Sequence, residues 1–172
     1  DWVTVVRHAE NLGFTRGNNE PIRRCPPDCD ILLLNNDTEI IQADWLRRMQ
    51  HCARSAADIG IVGCRLRRPS GMLQHAGAYI PPTYWGQQTG SGEPDINQFH
   101  RDRDTDAVVF ACAYIKRGVI DEVGLLDEAY VSYFEDTDYC YRAREAGYRT
   151  VCCGSVTVLH HENVSTVING VN

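Results

Sequence analysis

Residues 30–37 read DILLLNND, an unbroken apolar run that ends in two asparagines and an aspartate. A strand with one solvated face alternates apolar and polar residues, whereas a strand covered on both faces is apolar throughout. The run therefore predicts a buried strand of a parallel sheet. In open α/β sheets, ligands bind beyond the carboxyl ends of the strands, and Asp37 stands at that end.

Helix-like patterns flank this run. Trp45, Leu46, Met49 and Cys52 recur at helical spacing after Asp44, a residue type that caps helices. A short helix is predicted after Asn19, because the Gly- and Asn-rich start of 11–24 reads as a loop. Two more helices are predicted at 118–124 and between the acidic residues near 135 and Gly147.

Strand-like segments lie between these helices. They are 2–6, 59–66, 73–80, 129–134, 149–153 and 156–161, with 106–117 as a further core segment. The polar stretch 81–105 is predicted to be a long surface loop, and loops of that length are often functional. Strands that alternate with helices predict an α/β fold with a mostly parallel sheet.

The composition indicates one domain over residues 1–172. Hydrophobic residues make up 43% of the chain, which is enough for a core, and the net charge of −6 argues against nucleic-acid binding. No apolar run reaches the ~18–20 residues of a membrane helix, and no secretory signal is visible. The chain starts at Asp1 and enters a strand-like segment almost at once, so we expect that further residues precede it.

The eight cysteines do not follow a disulfide framework or a zinc-binding pattern. The stretch CPPDC (25–29) supplies half a zinc site at best, and several other cysteines lie in apolar runs. We expect reduced thiols in a cytosolic protein.

The stretch NNDT (35–38) offers two amide oxygens and one carboxylate. Hard oxygen ligands of this kind suit Mg²⁺ or Mn²⁺, and such ions commonly bridge the phosphates of a nucleotide. The alternative is a simple turn, since Asn and Asp close turns by bonding their own backbone.

A second acidic group, FEDTD (134–138), precedes a predicted helix. Asp136 can cap that helix, and Asp138 can pair with Arg142 one turn later. Glu135 has no structural role of this kind, and it follows two aromatic residues that would hold it near the core. Carboxylates crowded at a partly apolar cleft have raised pKa values, which suits a general base.

His160 and His161 end the last predicted strand. A histidine in that position can bind a metal, act as an acid or base, or simply satisfy its own hydrogen bonds. Adjacent strand residues face opposite ways, so only one of the two can point into a given site.

Taken together, these stretches resemble the family 2 glycosyltransferases of the GT-A fold. The resemblance lies in their order along the chain: NLGFTRGNN, DILLLNNDTEI, IGIVGCRL, ACAYIKRGVIDEVGLLDEAY, YFEDTDYCYRAREAGY and VLHHENVST. It is closest to the branch with rhamnosyltransferase-like enzymes of cell-surface polysaccharide assembly. It implies that the family's first strand and its nucleotide-base motif precede Asp1, so that this domain is partial.

The resemblance also implies roles for particular residues. Asp37 stands where the family binds its metal ion and the donor diphosphate, and Asn35 replaces the first acidic residue of that motif. Asp136 matches the catalytic base, Glu135 its acidic neighbour, and His160 a histidine that helps to hold the metal. Asn11 and Asn19 match two further donor-binding positions of the family. Phe110 stands at an acceptor position that usually carries a smaller residue.

The implied activity is inverting transfer of a sugar from a nucleotide-diphosphate donor to a hydroxyl of a saccharide or lipid-linked saccharide, with Mg²⁺ or Mn²⁺ as cofactor. The implied location is the cytoplasm, with peripheral association at the inner face of the membrane. One alternative is a degenerate module that binds nucleotide sugars without turnover, which Asn35 favours. Another is a metal-dependent phosphohydrolase or nucleotidyltransferase.

Overall fold

The computed structural model describes residues 3–81, 86–130 and 133–162. Within them, four helices flank a central sheet. The helices are α1 (Gly13–Arg24), α2 (Trp45–Arg54), α3 (Arg117–Val123) and α4 (Glu135–Glu145). The strands are β1 (Ile31–Leu34), β2 (Thr38–Ile40), β3 (Ile59–Arg67), β4 (Leu73–His75), β5 (Ala78–Tyr79), β6 (Gln87–Gln88), β7 (Arg103–Thr105), β8 (Cys112–Ile115) and β9 (Arg149–His160).

Seven of these strands form one mixed sheet in the order β1-β8-β3-β9-β2, with β4 beside β3 and β7 beside β9. The α/β class is confirmed, but the prediction of a mostly parallel sheet is wrong. Only β3 and β9 form a parallel pair among the described strands, because β8 runs antiparallel between β1 and β3. An unbroken apolar run reports coverage of both faces and says nothing about the direction of the neighbouring strands.

Helices cover both faces of the sheet. Buried residues of α1, α3 and α4 pack with Ile61, Phe110 and Ile115 on one face. Met49, Cys52 and Ala53 of α2 pack with β3, β8 and β9 on the other. The sheet is therefore the middle of three layers, and its strands must be apolar on both sides.

Two helix and strand boundaries differ from the prediction. Helix α1 begins at Gly13 rather than after Asn19, since Thr15, Asn19 and Ile22 form a buried face that outweighs the loop-like composition. Strand β9 is continuous where two strands were predicted. Gly154 does not interrupt β9, because its missing side chain leaves room for the backbone of 99–101 that crosses there.

Other extended segments were predicted where no strand forms. Residues 3–6 lie outside the sheet, and Val3 and Val5 are exposed. The described part of 129–134 is not a strand, and residues 131–132 lie outside the described residues. The predicted loop 81–105 contains the short strands β6 and β7. Its residues 82–85 lie outside the described residues.

Three strands deliver their carboxyl ends to one edge of the sheet. Strands β1, β3 and β9 run in the same direction, so the residues after Leu34, around Arg67 and at His160 lie at that edge. The antiparallel β8 begins there, directly after Phe110 and Ala111. This edge collects the polar residues described next.

Candidate functional site

Asp37 and His160 meet at this edge. Strand β2 begins directly after Asp37 and pairs with β9, so Thr38 lies opposite His160. The His161 amide donates to the Asp37 carbonyl at 2.9 Å, which fixes the backbone on both sides of the pair. His160 Nε2 then lies 3.2 Å from Asp37 Oδ1, and both side chains are largely buried. The structure therefore joins two residues that the sequence predicted as metal ligands.

Asp37 Oδ1 is also an unsatisfied hydrogen-bond acceptor among the described residues. It is buried and accepts no hydrogen bond from any described residue. A buried acceptor without a partner is costly, and in native proteins such an atom often faces an unseen ion or water. A carboxylate oxygen beside an imidazole nitrogen is a donor set that suits a divalent cation such as Mn²⁺. The residues present thus fit the metal ion that the resemblance implies.

A chain of hydrogen bonds extends from the other nitrogen of His160. His160 Nδ1 lies 2.7 Å from Gln74 Oε1, and Gln74 Nε2 donates to Glu162 Oε1 at 3.3 Å. Arg68 Nε donates to the second oxygen of Glu162 at 2.9 Å. Reasoning from the sequence missed Gln74, Glu162 and Arg68. No local pattern marks them, because they come together only through the pairing of β3 with β4 and β9.

Asn35 begins a tight turn, as the alternative interpretation of NNDT proposed. The backbone carbonyl of Asn35 accepts from Thr38 Oγ1 at 2.7 Å, and its backbone N–H donates to the Ala111 carbonyl at 2.9 Å. The turn directs Asp37 back toward β9. The stretch NNDT therefore forms a turn and also carries the candidate metal ligand. A contact of Asn35 with a donor stays a prediction.

The acidic group stands at the start of α4, but not as a cap. Phe134 occupies the N-cap position, so the prediction that Asp136 caps the helix is wrong. Asp136 lies in the first turn, where its Oδ1 accepts from the amide and the hydroxyl of Thr137 at 2.6 and 3.2 Å. The predicted pair of Asp138 with Arg142 is confirmed at 2.8 Å. Glu135 is buried, and its Oε2 has no hydrogen-bond partner among the described residues.

Burial governs the charge of both candidate catalytic carboxyls. It raises the pKa of Asp136, while hydrogen bonding to Thr137 and to the Phe110 backbone acts in the opposite direction. It also raises the pKa of Glu135, and the negative charge of Asp136 adds to that increase. Both groups therefore hold a proton more tightly than a solvated carboxyl, which is the property that a general base needs near neutral pH.

Residues 110 and 111 connect the two halves of the candidate site. The backbone of Phe110 lies against Asp136, and the next carbonyl, that of Ala111, accepts from Asn35. Phe110 is itself buried, with its ring 6.0 Å from the ring of Tyr139 in an edge-on arrangement. Its side chain thus belongs to the core, while its backbone connects the acidic group to the β1 end.

The two predicted donor-binding asparagines lie in α1 and just before it. Asn11 is exposed, and its Oδ1 accepts from the Gly13 amide at the start of the helix. Asn19 is fully buried; it bonds Leu126 through both its amide nitrogen and its oxygen, and Glu128 through its nitrogen. The structure gives Asn19 a role in holding α1 to the 124–130 segment. Donor binding by either asparagine stays a prediction.

Two other features lie apart from these residues. A cavity of about 560 Å³ is lined by β5, β7, the start of β9 and Arg144 of α4, and there Arg144 pairs with Asp106 and Arg149 with Asp104. It includes none of the candidate site residues, so it does not change their interpretation. On the α2 side of the sheet, Cys52, Cys153 and Asp102 place their ligand atoms within 4.8 Å of one another. All eight cysteines lie in the described part of the chain, and none is in a disulfide.

Comparison with known proteins settles which family carries this arrangement. The family described as "Glycosyltransferase like family 2" matches residues 1–168. The chain belongs to this family. The resemblance to the family 2 glycosyltransferases is thereby confirmed over nearly the whole sequence.

The chain spans less than a fifth of the length of three relatives that it matches. It is 33% identical, over 95% of its length, to the uncharacterized protein y4gI of Sinorhizobium fredii, of which it covers 18%. It is 30% identical, over 78% of its length, to the O-antigen biosynthesis protein RfbC of Myxococcus xanthus, of which it covers 11%. A shorter match of 39% identity covers 33% of the chain and 18% of the N-acetylglucosaminyl-diphospho-decaprenol L-rhamnosyltransferase of Mycobacterium tuberculosis.

A solved structure confirms the GT-A fold. The crystal structure of GalNAc-T7 with UDP, GalNAc and Mn²⁺ superposes with a TM-score of 0.68, over 90% of this chain and 31% of that chain. The sequence identity is 13%, so this likeness concerns the fold alone. Among the described residues, no helix is both long enough and apolar enough to span a membrane.

Proposed function

We propose that this chain is one catalytic domain of an inverting glycosyltransferase that moves a hexose from a nucleotide diphosphate to a hydroxyl of a saccharide or lipid-linked saccharide. The observation that carries the proposal is the pairing of Asp37 Oδ1, a buried acceptor without a donor, with His160 Nε2 at 3.2 Å. The names of two relatives, one for O-antigen biosynthesis and one for transfer to a diphospho-decaprenol, support a role in cell-surface polysaccharide assembly. We place the reaction in the cytoplasm, at the inner face of the membrane.

Asp37 and His160 would hold Mg²⁺ or Mn²⁺ in this proposal. When bound, such an ion neutralises the charge that develops on a departing diphosphate. The chain's own contribution is to hold one carboxylate and one imidazole close together at a largely buried edge of the sheet, where interactions with charge are stronger than in water.

Asp136 is the proposed base. Its carboxylate would accept the proton of the acceptor hydroxyl as that oxygen forms a bond to the anomeric carbon and the bond from that carbon to the diphosphate oxygen breaks. Attack on the face opposite the leaving group inverts the configuration. Glu135 would orient the acceptor, and its negative charge would raise the proton affinity of Asp136. Base catalysis of this kind contributes roughly 10²–10⁴ in rate.

The test is Asp136→Asn, assayed for transfer from a panel of UDP- and dTDP-sugars with Mn²⁺. We expect transfer to fall at least roughly 100-fold while donor binding, measured by calorimetry, stays within a few fold. The matched control is Asp138→Asn, which removes the neighbouring carboxylate of the same helix turn, and it should keep transfer within a few fold. Transfer by Asp136→Asn at the wild-type rate would remove Asp136 from the mechanism.

The second candidate is a module that binds nucleotide sugars without turnover. Asn35 supports it, because a neutral amide replaces a carboxylate in the turn beside Asp37. The same calorimetry separates the two: donor binding that is independent of Mn²⁺, together with no transfer by the wild-type protein, favours the module.

A further inference from the structure

We propose that Gln74 is a positioning residue for the cation site: it holds a proton on His160 Nδ1, so that Nε2 presents its lone pair beside Asp37. This inference rests on the proposed function, since it concerns how that site is prepared for a cation. Nothing in the sequence around Gln74 indicates the role.

The orientation of the Gln74 amide is set by its second partner. Glu162 is held by Arg68 at 2.9 Å, and an ionised carboxylate can only accept hydrogen bonds. The NH₂ group of Gln74 must therefore face Glu162, at 3.3 Å. The amide oxygen then faces His160, because the two ends of the amide point in different directions.

This orientation determines which nitrogen of His160 carries the proton. Gln74 Oε1 lies 2.7 Å from Nδ1 and can only accept, so Nδ1 must donate. In the neutral ring the proton then resides on Nδ1, and Nε2 is an acceptor. Nε2 and Asp37 Oδ1 are consequently two acceptors 3.2 Å apart, in a place where no described residue donates to Asp37 Oδ1.

Two buried acceptors that face each other repel unless a cation or a donating water lies beside both, and the largely buried carboxylate favours the cation. Histidines that bind metals generally donate their other N–H to a carbonyl or a carboxylate, and loss of that partner typically costs 10–100-fold in metal affinity. The series Arg68, Glu162, Gln74 and His160 has this form. It runs from a surface ion pair to the cation site, and each member fixes the orientation of the next.

The experiment measures binding of Mn²⁺ alone to the protein, from the loss of the free-ion signal in electron paramagnetic resonance. We expect Gln74→Leu to weaken binding roughly 10–100-fold relative to wild type. Gln88→Leu is the matched control, because Gln88 makes the same contact to Nδ1 of His75, a histidine outside the candidate site. It should bind Mn²⁺ like the wild type.

A paired exchange separates positioning from packing. In the double variant Gln74→Glu with Glu162→Gln, the new carboxylate at position 74 still accepts from His160 Nδ1, and the new amide at 162 still supplies the NH₂ group between them. We expect this variant to bind Mn²⁺ at least as tightly as wild type, whereas Gln74→Glu alone places two carboxylates together and should bind more weakly. Circular dichroism verifies that each variant is folded.

Three outcomes would overturn the proposal. They are wild-type affinity in Gln74→Leu, equal weakening in Gln88→Leu, and failure of the paired exchange to restore binding. If wild type and Asp37→Asn bind Mn²⁺ equally, the cation site of the proposed function fails as well. Loss of transfer in Asp136→Asn is independent of all these measurements, so a failure of the catalytic proposal is recognisable separately.

Discussion

Tyr133 and Phe134 adopt positive φ angles of 68° and 69° directly before the candidate catalytic carboxyls. Side chains other than glycine avoid this left-handed region at a cost of about 1–2 kcal/mol each. Both aromatic side chains are exposed, so burial of their rings does not offset that cost. Glu135, the first residue of α4, is buried directly after them. Strain of this kind clusters at functional sites, and its position here supports the interpretation of the acidic group.

Glu135 is expected to destabilise the protein when it is ionised. Burial raises its pKa, so the folded state binds the proton more tightly than the unfolded state does. Stability therefore decreases as the pH rises from the ordinary glutamate pKa through the raised pKa of the folded state. Glu135→Gln removes this charge, and we predict a higher midpoint of thermal unfolding at pH 8 than in wild type, with a gain that shrinks toward pH 5.

The control for this prediction is Asp138→Asn, which removes a carboxylate that is paired with Arg142. Loss of a stabilising pair should lower the midpoint slightly at pH 8. A Glu135→Gln midpoint at or below that of wild type at pH 8 would show that the buried charge carries no cost.

At the scale of elements, β9 is the strand on which the candidate site depends. It pairs with β2, β3 and β7, and it carries His160 to the edge of the sheet. Gly154 lies near its middle, where an added Cβ would come within 2.3 Å of the Arg101 carbonyl oxygen. The Gly154 amide also donates to Asp102 at 2.9 Å. The segment before β7 can cross β9 only because this residue has no side chain.

Gly154→Ala is predicted to destabilise the protein by about 3 kcal/mol, since the clash involves rigid backbone rather than a mobile side chain. Gly17→Ala is the matched control. No atom outside its own stretch of helix lies within 4 Å of the Cβ that it would add, so it should raise the free energy of unfolding by about 0.5–1 kcal/mol through better helix formation in α1. Urea denaturation measures both. Equal effects of the two substitutions would contradict the crossing argument.

At the scale of the whole molecule, acid stability depends on His75, a buried histidine at the end of β4. His75 is 1% exposed; its Nδ1 bonds Gln88, and its Nε2 accepts from the Val109 amide at 3.4 Å. Both nitrogens are thus satisfied in the neutral ring. Burial lowers the pKa of His75 to about 4, although the bond to Gln88 acts in the opposite direction.

The unfolded chain consequently binds a proton at position 75 between about pH 6.5 and pH 4, where the folded chain does not. We predict that lowering the pH across this interval reduces the free energy of unfolding by up to roughly 3 kcal/mol because of His75. The measurement is the free energy of unfolding in urea at pH 7, 5.5 and 4. His75→Gln should be less dependent on pH over the same range, whatever its absolute stability, and an unchanged slope would exclude His75 as the cause.

Much of the architecture was predictable because buried positions are occupied mainly by apolar residues, so the pattern of residue types indicates which segments are buried. The apolar stripe of Met49 and Cys52 predicted α2, the run 31–34 predicted β1, and the pairing of Asp138 with Arg142 follows from helical spacing alone. The errors in the bounds of α1 and β9 share one cause. Helix α1 contains two glycines and two asparagines, and strand β9 contains Gly154; these residues favour loops locally, but contacts from distant segments override that preference.

The sequence by itself determined the family and the layered α/β class, and it supplied the carboxylates and the histidine that we propose for the site, because these depend on residue type and order. Only the tertiary structure decided that the sheet is mixed, that Asp136 is not a cap, that Asn19 is occupied in the interior, and that Gln74 stands behind His160. Those facts depend on the direction and register of strand pairs. The register of β9 against β2 and β3 depends on packing across the whole molecule, and no local stretch of residues encodes it.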